Sequence, residues 1–235
     1  MHFALIDNEK VEAQPGLKGL CPGCLQPVIP KCGTKKVHHW AHSSNVMCDS
    51  WWEPETEWHR SWKNNYPVDY QEIFMLDEQT GEKHIADVRT GHGFVIEFQH
   101  SHIDPQERSS REKFYKNMVW VVDGARFKRD YPRFLKGKEE NFISSKTKGF
   151  FFTHFPDWCF PSNWIDSKVP VVFDFGIDIS SSEPQDTIRE FLWCLLPKRF
   201  RGVPSVVGAI TRRDFITKTL TEPKFWILNM NYLRE

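Results

Sequence analysis

The chemistry-bearing residues of this 235-residue chain concentrate in the stretch Lys83–Ser101, KHIADVRTGHGFVIEFQHS. Asp87 lies on its first arm, Glu97 and Gln99 on its second. Between the arms, Thr90-Gly91-His92-Gly93 gives a tight-turn signal, because glycine reaches backbone angles that other residues avoid. Side chains alternate along a strand, so Val95, Glu97 and Gln99 share one face and Phe94, Ile96 and Phe98 the other. The second set reads as core, which leaves the acid and the amide on the face away from it. Closing the hairpin would bring Asp87 towards Glu97. Two carboxylates and an amide suit a hard divalent cation such as Mg²⁺ or Mn²⁺. An acid on each arm of a surface hairpin is also common with no metal, so the pattern needs support from its neighbours.

A second set of ligand-type residues precedes it. Cys21 and Cys24 form a C-x-x-C knuckle around Pro22-Gly23. His39, His42 and Cys48 follow, and Cys32 is a further candidate. Thiolate and imidazole ligands in such a short loop-rich segment suit a tetrahedral structural zinc. The first pair is Cys21 and Cys24. For the second we take His42 and Cys48, against a redox pair or plain buried thiols. Then Glu55, His59 and Lys63 recur every four residues, which puts all three on one face of a helix. Pro54 opens that helix, with Glu53 before it pushed towards extended geometry, and Pro67 closes it. Trp58 and Trp62 form its packing stripe. A solvated face with helix-supporting ion pairs is the plainer account of the charged trio.

The elements that must position these groups follow in order. A short strand pair surrounds Asp7-Asn8-Glu9. QEIFML (71–76) suits a strand, and Asp77–Glu82 a turn. Asp104-Pro105-Gln106-Glu107 gives an N-cap, a proline at the first helical position and a Glu to close a capping box. That helix runs to about Asn117, with Arg108, Arg111 and Tyr115 on one side. Arg111 and Tyr115 could face a DNA backbone or brace the core. MVWVVD (118–123) reads as a buried strand. Residues 126–148, rich in Arg, Lys and Phe around Gly137, read as a connector or a nucleic-acid-facing loop. Beyond them, 150–155, 169–175 and 205–210 suit strands, 190–196 a strand or short helix, and 212–220 a helix. The division expected is 1–50 zinc-binding segment, 51–125 core and 126–235 α+β extension.

Composition bounds the class. Apolar and charged fractions of 40% and 26% are those of a globular protein. Formal net charge is zero, which excludes a highly basic coat but not a local basic groove. Nineteen Phe and ten Trp are the unusual feature, fit for cores and for stacking on bases. No apolar run approaches spanning length and the N-terminus lacks signal-peptide order, so a cytoplasmic protein without membrane contact is expected. In that compartment the six cysteines are free or metal-bound rather than disulfide-bonded.

Taken together the motifs resemble the competence CoiA-like family. The residues that carry the likeness are Cys21-Pro22-Gly23-Cys24, His39-Trp40-Ala41-His42, Glu55-Thr56-Glu57-Trp58-His59, Ala86-Asp87-Val88 and Glu97-Phe98-Gln99, in that order. The resemblance implies a restriction-endonuclease-like PD-(D/E)XK core in a mixed α/β fold, a zinc-binding N-terminal segment and a role in DNA handling. The helix, three strands, helix, strand order read from the residues agrees with that core. Where the wider superfamily has lysine, this chain has Gln99, as the CoiA-like variant does. Glutamine carries no charge and is no base. Lys63 is the candidate to compensate. The expected function is a metal-dependent DNA nuclease. Asp87 and Glu97 would hold Mg²⁺ or Mn²⁺, with Glu55 adding a carboxylate. Gln99 would orient water or phosphate, and Lys63 and His59 would neutralise charge. The alternatives are a non-catalytic DNA-binding adaptor on the same fold and a protein-interaction module. A homodimer and DNA-processing partners are both compatible with the chain.

Overall fold

A computed structural model describes residues 1–43, 48–51, 54–176, 187–198 and 202–225. Glu53 lies outside them. The chain divides into two compact units, Met1–Arg89 and Thr90–Glu235.

The first unit opens with five strands: β1 (Phe3–Ile6), β2 (Glu9–Glu12), β3 (Gly19–Leu20), β4 (Pro27–Lys31) and β5 (His39–His42). They form an antiparallel sheet in the order β2-β1-β3-β4-β5. The β1–β2 turn holds Asp7 and Asn8 at φ 52° and 67°, left-handed angles these side chains tolerate. A small core of Met1, Ala4, Ala13, Cys21, Val28 and Trp40 packs inside it. Helix α1 follows at Glu57–Lys63, capped by the Thr56 hydroxyl, which accepts from the His59 amide. The helix is shorter than expected. Pro54 does not open it, and Glu55 lies ahead of the cap rather than on the helical face. After a 3₁₀ turn, β6 (Gln71–Leu76) and β7 (Lys83–Arg89) pair antiparallel.

The second unit begins with the expected glycine turn. The Thr90 carbonyl accepts from the Gly93 amide at 2.8 Å, and Gly93 takes φ 77°. Then come β8 (Val95–Gln99), α2 (Pro105–Tyr115), β9 (Met118–Asp123), α3 (Asp130–Asn141), β10 (Ile143–Ser144), β11 (Phe150–Thr153), α4 (Pro156–Cys159), β12 (Val171–Asp174), β13 (Phe191–Leu195), β14 (Ser205–Thr211) and α5 (Arg212–Thr221). Within this unit the strand order is β10-β11-β14-β13-β12-β9-β8. β9 runs parallel to both β8 and β12, and the remaining pairs are antiparallel. The helix, strands, helix, strand order of α1, β6, β7, β8, α2 and β9 is as read from the residues.

Two expectations need correction here. Residues 130–141 are helix, not connector: Tyr131, Phe134 and Gly137 recur every three residues and are buried. β8 is buried at every position, so the face bearing Glu97 and Gln99 is covered rather than open. This is the usual state of a strand in a parallel arrangement. Much of the aromatic surplus is core. Phe134 stacks on Phe175 at 4.5 Å and meets Trp193 at 5.0 Å and Phe160 at 5.5 Å. No helix among the described residues is long and apolar enough to cross a membrane.

Candidate functional site

The cysteine knuckle is built by a turn between β3 and β4. The Cys21 amide donates to the Gln26 carbonyl at 2.9 Å, and the Leu25 amide returns to the Cys21 carbonyl at 2.9 Å. Gly23 is needed where the knuckle packs down, since a Cβ there would come within 3.3 Å of Ile85 and of Phe74. β5 delivers His42, and Cys48 comes from the segment after it. The Cys21 and Cys48 sulfurs are 3.6 Å apart, and Cys24 Sγ is 3.3 Å from His42 Nε2. All four ligand atoms fall within 4.8 Å of one another. A zinc ion with bonds of about 2.0–2.3 Å needs tetrahedral edges of roughly 3.5–3.8 Å. The donor set and its spacing therefore fit zinc. Burial first, then the crowded neighbouring sulfurs, push the Cys48 thiol well above its ordinary range. Such thiols ionise when a cation joins them. His39 is turned away, with Nδ1 on the Val37 carbonyl at 2.9 Å, and Cys32 packs against the small core instead. Asp49, next to the last ligand, ties the segment to β7. Its carboxylate accepts from His84 Nδ1 at 2.8 Å and the Ile85 amide at 2.9 Å. Burial opposes ionisation of Asp49, but these bonds prevail and hold its carboxyl below the ordinary range.

The first unit also gathers acids around one lysine. Lys63 is 2% exposed and places Nζ 3.0 Å from Glu55 and 3.0 Å from Glu72. The Glu72 carboxylate further accepts from the amides of His2 at 2.7 Å and Phe3 at 3.1 Å. Pairing of Gln71 with Val88 and of Ile73 with Ala86 sets Glu72 opposite Asp87. Burial works against the Lys63 charge, but Glu72, Glu55 and Asp87 outweigh it and raise the ammonium above its ordinary range. Burial likewise opposes the Glu72 charge, and Lys63 prevails over it, holding that carboxyl far down. Asp87 itself is half-buried. His59 is buried, with Nδ1 2.8 Å from the Thr56 hydroxyl. Glu55, Lys63 and Asp87 thus share one charged neighbourhood, and His59 is engaged at the cap of α1.

In the second unit, Glu97 is 3% exposed and accepts from Arg111 Nη1 at 3.2 Å. Arg111 also bonds Glu107, so the Glu expected to close a capping box is turned to the arginine. The cap itself is present: Asp104 accepts from the amides of Gln106 and Glu107. Arg111 and Tyr115 are both 5% exposed and brace the core. Gln99 is 1% exposed, and its amide donates to the carbonyl and hydroxyl of Ser101 at 3.2 and 3.1 Å.

Sequence reasoning missed Glu72 and Asp49. Glu72 takes φ +48°, a left-handed angle rare in a strand, and alternation alone does not foretell its burial. Asp49 offered no local signal beyond lying beside a ligand.

Residues 7–50 match the family model of the competence protein CoiA, N-terminal domain, a span that contains all four members of the cysteine–histidine cluster. The matched span is less than a fifth of the chain, and the likeness is to that domain over those residues. No curated protein and no solved structure matches the chain.

Proposed function

We propose that this protein is a metal-dependent DNA nuclease of the CoiA-like type, acting in DNA processing, uptake or defence. The observation that carries the reading is the Lys63 cluster: a fully buried ammonium among Glu55, Glu72 and Asp87. Such a group is expensive to keep in a fold, and shifted, charge-coupled residues are what functional sites collect. Asp87 and Glu97 are the carboxylates assigned to Mg²⁺ or Mn²⁺, and their oxygens are the ligand type those ions take. One contact from Arg111 does not exhaust the acceptor capacity of Glu97. The cation would lower the pKa of a bound water and stabilise charge on the scissile phosphate. Lys63 offsets the charge of the acids around it. Gln99, held by Ser101, presents a neutral amide where the superfamily has lysine.

The adaptor reading keeps one observation in its favour. Glu97 is embedded in an ion-pair set with Arg111 and Glu107, as a purely structural acid would be. The test is purified protein with linear, circular and single-stranded DNA, with Mg²⁺, with Mn²⁺ and with neither. Cleavage should need a divalent cation and should vanish in Asp87→Asn, with melting temperature unchanged or slightly raised as carboxylate repulsion falls. An inactive wild type under every metal moves the assignment to the adaptor, and a fully active Asp87→Asn removes the site.

A further inference from the structure

Beyond the carboxyl ends of β8, β9 and β12 the second unit holds a cavity of about 260 Å³. Open α/β sheets place ligands at that end of their parallel strands. Trp164, Phe173 and Phe175 supply its apolar wall, and all three are buried. The polar wall carries three arginines against two acids, Asp123 and Asp130. Arg126, Arg129 and Arg133 line it beside His100, whose Nδ1 is held by Asp123 at 2.8 Å.

Two features mark these arginines as waiting for an anion. Arg126 and Arg129 have no carboxylate partner among the described residues, and their guanidiniums lie 4.9 and 5.9 Å from the half-exposed ring of Phe127. Arg126 is steadied by donating to the His100 carbonyl at 2.8 Å. Arg133 spends one Nη on Asp130 at 3.2 Å, but its buried Nε finds no acceptor among the described residues. Guanidinium forks on an aromatic prop match phosphate oxygens better than they match a neutral ligand. The volume lies just under the ~300 Å³ at which ligand pockets begin. It has room for one nucleotide and not for a length of duplex.

We propose that this cavity receives the phosphomonoester end of a nucleic-acid strand, one nucleotide deep. The choice of a nucleotide over another phosphate ester rests on the nuclease reading. A terminal phosphate carries up to two charges against one on an internal diester, so the unpaired arginines favour ends.

The test is fluorescence anisotropy of the full chain with a short single-stranded oligonucleotide, phosphorylated at its 5′ or its 3′ end or carrying hydroxyls at both. No Mg²⁺ or Mn²⁺ is added. A phosphorylated form should bind roughly tenfold tighter than the hydroxyl form, the scale of one or two charge-assisted hydrogen bonds. The double variant Arg126→Gln, Arg129→Gln should erase that difference with its melting temperature unchanged, since both side chains are exposed. A deoxynucleoside monophosphate should compete, more weakly than the strand end. Equal binding of phosphate and hydroxyl ends, or a preference that survives the double variant, overturns the proposal. Binding of the free monophosphate alone overturns the strand end as occupant. The nuclease reading fails separately: a wild type that cuts nothing yet prefers phosphorylated ends keeps the cavity, and one that cuts without that preference loses it.

Discussion

At the scale of single residues, Lys63 concentrates the most consequence. It sits buried between Glu55 and Glu72, so removing it takes the nearest cation from Glu72 and leaves Glu55 only the longer Arg60 contact at 3.6 Å. Lys63→Met should destabilise the first unit by about 3–5 kcal/mol at neutral pH, the range for breaking a buried pair by deleting one partner. The pH dependence follows from the directions. Glu72 is held below its ordinary value of 4.5, so its contribution is present above that pH and is lost on acidification. Lys63 is raised above 10.5, so its contribution is lost only in strong alkali. Denaturant melts of wild type and Lys63→Met should therefore differ most between these limits and converge as pH falls below about 4.5. A constant difference down to low pH would show that Glu72 is not the titrating partner. This cluster was partly legible. Glu55, Lys63 and Asp87 could be singled out by type and spacing. Glu72 could not, because its burial depends on a left-handed backbone angle and on the amides of His2 and Phe3, which lie far away in the chain.

At the scale of elements, α3 shows what local pattern conceals. The segment around Gly137 reads as connector, yet it is helix, and Pro132 falls in the first turn, where proline is tolerated. Gly137 lies where α3 meets α4. A Cβ there would stand 2.7 Å from Cys159 Sγ and 2.7 Å from the Trp158 carbonyl oxygen. Gly137→Ala should therefore lower stability by about 1–3 kcal/mol, the cost of overpacking, despite the better helix propensity of alanine. Equilibrium denaturation decides it, and a stabilised variant would mean that α4 shifts freely. The cysteine knuckle was the reverse case. Ligand type and short spacing identified Cys21 and Cys24 directly, and the fold chose His42 and Cys48 from the remaining candidates. Elemental analysis of protein purified without chelator should find one zinc per chain. Cys48→Ser should lose it and release the 48–51 segment from His84, read as a lower melting temperature and faster proteolysis within the first unit. Full stability with no zinc would sink the assignment.

At the scale of the whole molecule, zero net charge conceals local imbalance. Arg126 and Arg129 stand without carboxylate partners among the described residues, so DNA affinity should fall steeply as salt rises, through counterion release. It should also be largely independent of sequence, since phosphate contacts position a protein without reading bases. Affinity that stays flat from low to physiological salt would exclude a phosphate-tracking surface. The strand arrangement carries a further consequence, for biosynthesis. β9 is apolar from Met118 to Val122, and its partner on one side is β12, with Trp120 paired to Val171. A parallel partner cannot arrive through a tight turn, and here it follows α3, β10, β11 and α4 along the chain. While the nascent chain is being made, β9 has one neighbour and one bare edge of high β-propensity. Such an edge is a template for pairing between molecules. The interval between synthesis of β9 and of β12 is thus the window in which this protein is most exposed to misassembly, and chains cut short within it are the ones a cell must clear.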